Sequence, residues 1–467
     1  MVDSRQFTVD SADRIFDGQR LAVGSALNMR AHGDILLVST YELGHPPHHL
    51  ASTLGFLENA GFAAEAVDIA VDTLSDEQIA RAKLVAIATP MHTALRLGLR
   101  VAERVRVLNP LAHVCFFGLY AILEQDLLLT RWADSVIGGE FESALIELAE
   151  TLQAGRTPPP ARTEIERLPF VTPSRARLPT LDRYAKLVTG EGEKLAGYVE
   201  ASRGCLHRCR HCPIPPIYGG RFFAVPEAVV LADIRQQISV GARHLTFGDP
   251  DFFNGPMHGL RIARQLHREI PDVTFDVTIK VEHLLRHQKH LAELAALGCA
   301  FVTTAVESLS DRVLRLLDKG HSQADVHRVF ALGRHAGLTL RPTLVPFTPW
   351  STLEDYRSLL AWIEEENLYS ALDPIQLAIR LLIPPGSKLL ELEELTPHLG
   401  AFDEAQLGYR WIHPDSVMDE LAATVFALVE RDSAASAFDQ IRELVSLPAR
   451  ADRRILSAPH ISESWFC

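Results

Sequence analysis

The stretch Gly204–Pro216, GCLHRCRHCPIPP, sets Cys205, Cys209 and Cys212 within a few residues of one another, with His207, His211, Arg208 and Arg210 between them. The chain holds six cysteines in 467 residues, and the other three, Cys115, Cys299 and Cys467, lie far away along it. Thiolates ligate soft metals, and the number of ligands separates the candidates. A closed structural zinc site takes four, commonly as two short Cys/His pairs divided by a longer loop. Here His207 or His211 would have to complete it. A [4Fe–4S] cluster ordinarily takes four cysteine thiolates, so three leave one iron with an open coordination position. By the logic that separates catalytic from structural zinc, an open position is where a substrate or cofactor binds.

Two runs of alternating strand and helix frame this loop. From Asp34 the apolar runs DILLVST, AAEAVDIA, KLVAIATP, AHVCFFG and DSVIGGE alternate with helix-period stretches such as HHLASTLGFLENAG and FESALIELAETLQAG. Short buried-type strands between helices predict a doubly wound parallel sheet over 31–154, which binds ligands at the carboxyl ends of its strands. Residues 155–190 are rich in proline and lack a period, so they read as an extended linker. A second alternation then begins, with strands GYVEASRG, HLTFGD, TFDVTIKV, AFVTTAVE, LTLRPTLVP and IQLAIRLLI. Six strand–helix units predict a partial (β/α)6 barrel over 191–395, with functional groups gathered at the strand C-termini. The fold class is thus α/β, a doubly wound sheet followed by a partial barrel, with a helical region over 396–467. Residues 1–30 show no period. Either Met29 is the true start and the residues before it are an extension, or they form a short ordered arm.

Composition narrows the function classes. Apolar residues make up 47% and charged residues 22%, the balance of a globular chain. No apolar run is long enough to span a bilayer, and the first residues lack the apolar core of a signal peptide. The reading is therefore a cytoplasmic protein with reduced thiols and no membrane partner. A net charge of −13 argues against a general nucleic-acid binder.

The CxxxCxxC spacing, on the loop after the first strand of a partial barrel, resembles the radical S-adenosylmethionine (SAM) superfamily. The resemblance covers roughly residues 34–395. It implies a [4Fe–4S] cluster on Cys205, Cys209 and Cys212, whose open iron chelates the amino and carboxylate groups of SAM. An electron then cleaves the S–C5′ bond to give a 5′-deoxyadenosyl radical that abstracts a hydrogen atom. His211 departs from the aromatic or apolar residue usual before the third cysteine, which alters the packing over the adenine. In HLTFGDPDFF, Asp249 and Asp251 are the candidates to meet the methionyl ammonium, or else they cap a turn. Glu307, in TTAVESLSDRVLRLLDKGHS, would face the ribose hydroxyls or form a salt bridge at the barrel rim. Arg341 and Arg380, on expected strands, would anchor a carboxylate or pair with an acid in the barrel. An electron donor such as flavodoxin or ferredoxin is implied as partner.

LLIPPGSKLL and the upstream sheet resemble the subgroup with a cobalamin-binding domain. DSVIGGEFESALIELAE matches that subgroup's last strand-to-helix segment, where Gly138 and Gly139 would let the backbone approach a ligand edge. The usual DxHxxG motif is absent. His45, in TYELGHPPHHLA, is the candidate cobalt ligand, set against an ordinary loop histidine. The alternative is that the domain has lost its cofactor and serves as a docking face. The ending APHISESWFC resembles radical SAM proteins with a Cys-Sec-Ala-Glu-Pro or Cys-Cys-Ala-Glu-Pro tail. Cys467 would then be the first residue of the pair, a redox or soft-ligand group on a chain truncated at a selenocysteine codon; the alternative is a natural end.

The leading expectation is a radical SAM enzyme with cobalamin as second cofactor, methylating an unactivated or soft-element centre in a small-molecule or peptide substrate. A methylthiotransferase fits less well, because its upstream three-cysteine domain and C-terminal nucleic-acid module are not visible. The competing classes are a non-enzymatic iron–sulfur or zinc redox sensor and a cobalamin carrier.

Overall fold

The computed structural model describes residues 28–369, 371–431, 434–448 and 458–463. Residues 1–27 of the expected N-terminal extension, and Cys467, lie outside the described residues. Met29 is fully buried, and the Arg30 guanidinium stands 4.4 Å over the ring of Phe62.

Six parallel strands form the first sheet: β1 (Ile35–Ser39), β2 (Glu65–Asp68), β3 (Leu84–Ala88), β4 (His113–Phe117), β5 (Ser135–Gly139) and β6 (Ala161–Glu164), in the order β2-β1-β3-β4-β5-β6. β1, β3, β4 and β5 are buried at every position. Side chains alternate between two cores: Leu36 and Val38 face one, Ile35 and Leu37 the other. Helices cover both faces, as a doubly wound sheet requires.

β6 corrects the expectation of an unpacked linker over 155–190. Its four residues follow the prolines of that stretch and pair with β5 along the sheet edge. An edge strand carries no apolar run, so periodicity did not mark it. The same stretch supplies β7 (Lys186–Thr189), and Phe170 packs against the core formed around Leu245, Phe247 and Phe275 farther along the chain.

The second sheet contains β8 (Gly192–Val199), and after it β9 (Ser202–Gly204) pairs with β10 (Phe222–Ala224) as a separate ribbon. β11 (His244–Phe247), β12 (Thr274–Thr278), β13 (Cys299–Glu307) and β14 (Leu340–Leu344) continue parallel to β8 and curl into a half-barrel. The expected sixth strand is not one. Its residues form a 3-10 turn, Pro374–Leu377, and one isolated bridge, Phe347–Arg380. The Gln376 side chain accepts the Leu344 N–H at 2.7 Å, taking a ladder bond a sixth strand would have made.

The C-terminal region is less purely helical than expected. It holds the hairpin β15 (Leu399–Asp403) and β16 (Gly408–Trp411), then the helices Ser416–Arg431 and Ala434–Leu444. β17 (His460–Ile461) returns to pair antiparallel with β7, which itself pairs with β8. No helix among the described residues is long and apolar enough to cross a membrane.

Candidate active site

Gly204 ends β9 with φ of +73°, and a Cβ there would meet the Arg221 carbonyl oxygen at 2.5 Å. Only glycine turns the chain here without strain, and the turn launches the cysteine loop. Cys205, Cys209 and Cys212 are all free thiols, the first two buried and the third partly so. Other elements hold the loop in place. Arg210 donates to the carbonyls of Arg315 and Leu316 at 3.1 and 3.0 Å. The Leu206 N–H donates to Asn254 Oδ1 at 3.1 Å.

Burial pushes the Cys205 thiol up to about 11 and Cys212 up to about 12, with Cys209 adding to both. Such thiols stay protonated in the metal-free chain, and a metal would displace the protons on binding. Lys319 stands beside them. Burial opposes its charge, but Glu307 and the Cys209 and Cys212 sulfurs raise its pKa. Three free, mutually coupled thiols next to a buried ammonium fit an anionic iron–sulfur cluster.

Glu307 lies at the C-terminal end of β13 with φ of +65°, beyond a bulge in the pairing with β14. Its Oε1 is 3.1 Å from Lys319 Nζ and 3.5 Å from His211 Nε2. Burial opposes ionisation, yet Lys319 and His211 hold the carboxyl at about 2. Glu307 therefore forms the rim ion pair and ties it to the cysteine loop.

A cavity of about 730 Å³ opens inside the half-barrel and reaches the first sheet domain at Leu43 and His45. Asp249, Asp276, Arg341 and Asp373 line it, and Ala458 and His460–Glu463 line it too. Asp249 accepts from the Ala201 N–H at 2.9 Å and the Ser202 hydroxyl at 2.5 Å, and burial pushes its carboxyl up to about 7. Asp251 is closed off instead. It caps the turn at Phe253 and meets His207 and His283 at 3.3 and 2.9 Å. Arg341 lies against Phe301 and donates to the Pro459 carbonyl at 3.2 Å. Burial pushes its guanidinium down to about 10.

Arg380 stands apart from the cavity. It pairs with Asp419 of the helix Ser416–Arg431 at 2.7 Å and stacks on Trp411, so its acid partner comes from the C-terminal region and not from inside the barrel. Gly138 and Gly139 do lie at the tight turn of β5, but their open sides are already filled. A Cβ on Gly138 would strike Ile122 at 2.5 Å, and one on Gly139 the Glu164 carbonyl at 2.0 Å. The close approach there is made by the chain's own atoms. His45 is buried rather than exposed, with Nδ1 unpartnered and its ring 4.9 Å from Tyr198. Burial lowers it to about 4, leaving a neutral imidazole able to ligate a metal.

Between the domains lies a buried charge network that sequence reasoning missed. Arg203 Nη1 reaches Glu142 at 2.7 Å and Glu140 at 3.5 Å, and its Nε reaches Glu200 at 2.8 Å. His48 Nε2 adds a contact to Glu200 at 3.1 Å. Lys319 was missed as well, although it sits in the DKGHS segment beside Glu307; a lysine three residues past an apolar helix run was the available signal.

A family profile described as Radical SAM superfamily matches residues 199–360. Among curated proteins, the ribosomal protein uS12 methylthiotransferase RimO of Cereibacter sphaeroides is 26% identical over 204 residues, 41% of this chain and 44% of that one. RimO of Thermus thermophilus is 28% identical over 187 residues, 37% and 43% of the two chains. The chain thus spans less than half the length of these relatives. Among solved structures, the radical SAM methyltransferase TsrM from Kitasatospora setae, with tryptophan and a SAM analogue bound, superposes with a TM-score of 0.64 at 16% identity, over 85% of this chain and 89% of that one. The cobalamin-dependent radical enzyme OxsB, with aqua-cobalamin and SAM bound, gives 0.66 at 14% identity, over 88% and 71%. Residues 199–360 thus carry a radical SAM superfamily domain, and the fold of the chain, sheet domain and half-barrel together, is similar to that of cobalamin-dependent radical SAM enzymes.

Proposed function

We propose that this chain cleaves SAM reductively at a [4Fe–4S] cluster held by Cys205, Cys209 and Cys212, and uses the cleavage or a cobalamin to methylate a substrate in the barrel cavity. The observation that carries the reading is the loop itself: three free thiols within one short loop after β8 and the ribbon strand β9, with no fourth cysteine beside them among the described residues. When bound, the cluster supplies the electron that breaks a sulfonium bond; the protein orients the reactants and excludes water. Lys319 offsets the charge gathered on the thiolates. Asp249 lies at the cavity wall with its proton poised near neutrality, so it can accept from an ammonium group after losing that proton. A flavodoxin or ferredoxin is the proposed electron donor, and a reducing compartment such as the cytoplasm suits the free thiols.

Support for cobalamin is narrower. His45 offers a buried, neutral, unpartnered ring nitrogen at the point where the sheet domain meets the cavity. The glycine turn of β5 adds nothing, because Ile122 and Glu164 fill it. The fold supports a corrinoid on the sheet domain, and His45 is the residue of this chain that would meet its metal.

The test is anaerobic reconstitution of the full chain with iron and sulfide, then dithionite and SAM. The products expected are 5′-deoxyadenosine, S-adenosylhomocysteine or both, lost in Cys209→Ala. Corrinoid absorbance after incubation with hydroxocobalamin should persist through gel filtration and shift in His45→Ala. A stoichiometric zinc on the cysteines with neither product would favour the redox sensor, and tight corrinoid without SAM cleavage would favour the carrier.

A further inference from the structure

A second set of donors sits beside the cysteine loop and has no part in that reading. His207 Nε2, His283 Nδ1 and Asp251 Oδ2 converge, at 3.3 Å between the two rings and 3.3 and 2.9 Å from each ring to the carboxylate. They come from three elements: the cysteine loop, the loop after β11 and the helix Val281–Arg286 after β12. Asp251 and His283 are buried, and the His207 side chain is 11% exposed, which leaves a way in from solvent.

An ion bonded at about 2.0–2.1 Å in tetrahedral geometry spaces its donors roughly 3.3 Å apart. Two of the three contacts match that spacing, and the third, His283 to Asp251, is shorter at 2.9 Å. Groups behind the donors are placed to orient them. Asp251 Oδ1 accepts the Phe253 N–H at 2.8 Å, and Glu282 Oε2 stands 3.5 Å from His207 Nδ1. A carboxylate behind the second ring nitrogen fixes the tautomer of a metal-bound histidine. Hydrogen bonds alone are a poorer account. They would put two ring N–H groups and the Lys280 backbone N–H, at 3.2 Å, on the single oxygen Asp251 Oδ2.

We propose that His207, His283 and Asp251 bind a borderline divalent cation, zinc or ferrous iron, separate from the metal on the three cysteines. Two imidazoles and a carboxylate suit both ions. The ion fastens the cysteine loop to the strand loop and the helix behind it, and three protein donors leave a position for an outside ligand.

The test uses the full chain, reconstituted anaerobically with iron and sulfide, equilibrated with micromolar zinc chloride and desalted. One zinc per chain is expected beyond the cluster iron, with X-ray absorption at the zinc edge showing nitrogen and oxygen at about 2.0–2.1 Å and no sulfur near about 2.3 Å. His283→Ala should lose the zinc and keep the cluster iron. Glu282→Gln, which alters no ligand, should weaken zinc binding by about 10- to 100-fold. Zinc far below one equivalent in the unaltered chain, sulfur in its shell, or full zinc in His283→Ala overturns the proposal. If His283→Ala does not fold, the absorption edge and Glu282→Gln decide. Zinc with this shell but no cluster iron would support this site while overturning the cysteine assignment.

Discussion

Arg203 Nη1 lies 2.7 Å from Glu142 Oε1 across the seam between the two sheets. Arg203 belongs to the ribbon strand next to the cysteine loop, and Glu142 opens the helix after β5. Both are buried, and Glu140, Glu200 and the Ser52 hydroxyl surround the same guanidinium. One cation thus neutralises carboxylates from both domains at the base of the loop that carries the thiols.

Removing that cation leaves buried carboxylates uncompensated. Breaking a buried pair from one side costs about 3–5 kcal/mol. Arg203→Met should destabilise the chain by about that amount in urea denaturation and lower its capacity for cluster iron. A denaturation midpoint equal to that of the unaltered chain would show that the seam does not depend on this residue.

Stability should also depend on pH in a definite direction. Burial pushes Glu140 up to about 7 from an ordinary 4.5. A carboxyl that holds its proton more tightly in the folded chain stabilises that chain fully below the unfolded value, and the contribution is lost as pH rises through the folded one. Asp249, raised to about 7 from 3.8, acts in the same sense. The contribution of these two carboxyls to the unfolding free energy should therefore fall from about pH 5 to about pH 8. Glu140→Gln should flatten part of that slope, since its amide cannot titrate. A slope unchanged in Glu140→Gln would mean that Glu140 ionises as it does in water.

Lys319 gives a prediction about redox behaviour. Its ammonium sits 3.1 Å from Glu307, with the Cys209 and Cys212 sulfurs among the groups that raise its pKa. Net charge and nearby hydrogen bonds set the potential of an iron–sulfur cluster. Lys319→Met removes a positive charge, so the cluster potential should move to more negative values in an EPR-monitored redox titration. Lys319→Arg should restore most of the shift. An unmoved potential in Lys319→Met would place the ammonium outside the cluster's field.

The parts legible in the sequence were those with a local pattern. Ile35–Ser39 and Leu84–Ala88 are short apolar runs between helix-period stretches, and buried parallel strands follow directly from that. The cysteine loop was legible because three thiols share one turn. Arg203 was not, because it stands in a plain SRG, and its partner Glu142 is distant in sequence. The sixth barrel strand misled for the opposite reason. IQLAIRLLI has the composition of a buried strand, but Gln376 turns inward to take a ladder bond and Arg380 turns outward to Asp419. His207, Asp251 and His283 come from three separate loops and helices, so only the folded chain brings them together.

Gly204 offers the sharpest test of how the backbone positions the thiols. It precedes Cys205 directly and adopts φ of +73°, where an L side chain is strained. A Cβ would also meet the Arg221 carbonyl oxygen at 2.5 Å and the Tyr218 ring at 2.5 Å. The first contact is backbone and cannot swing away, so relief must come from moving the ribbon or the cysteine loop. Tyr218 has little room either, because its hydroxyl donates to Glu140 at 2.8 Å. Gly204→Ala should cost about 1–3 kcal/mol in stability. It should reduce the cluster iron retained after desalting by more than that loss alone explains, because the strain falls on the residue before a ligand. Gly190 is the control: a Cβ there meets nothing within 4 Å, and Gly190→Ala should bind iron like the unaltered chain. Equal iron in the two variants would mean that the loop accommodates the extra methyl, and that the left-handed turn is not what holds Cys205 in place.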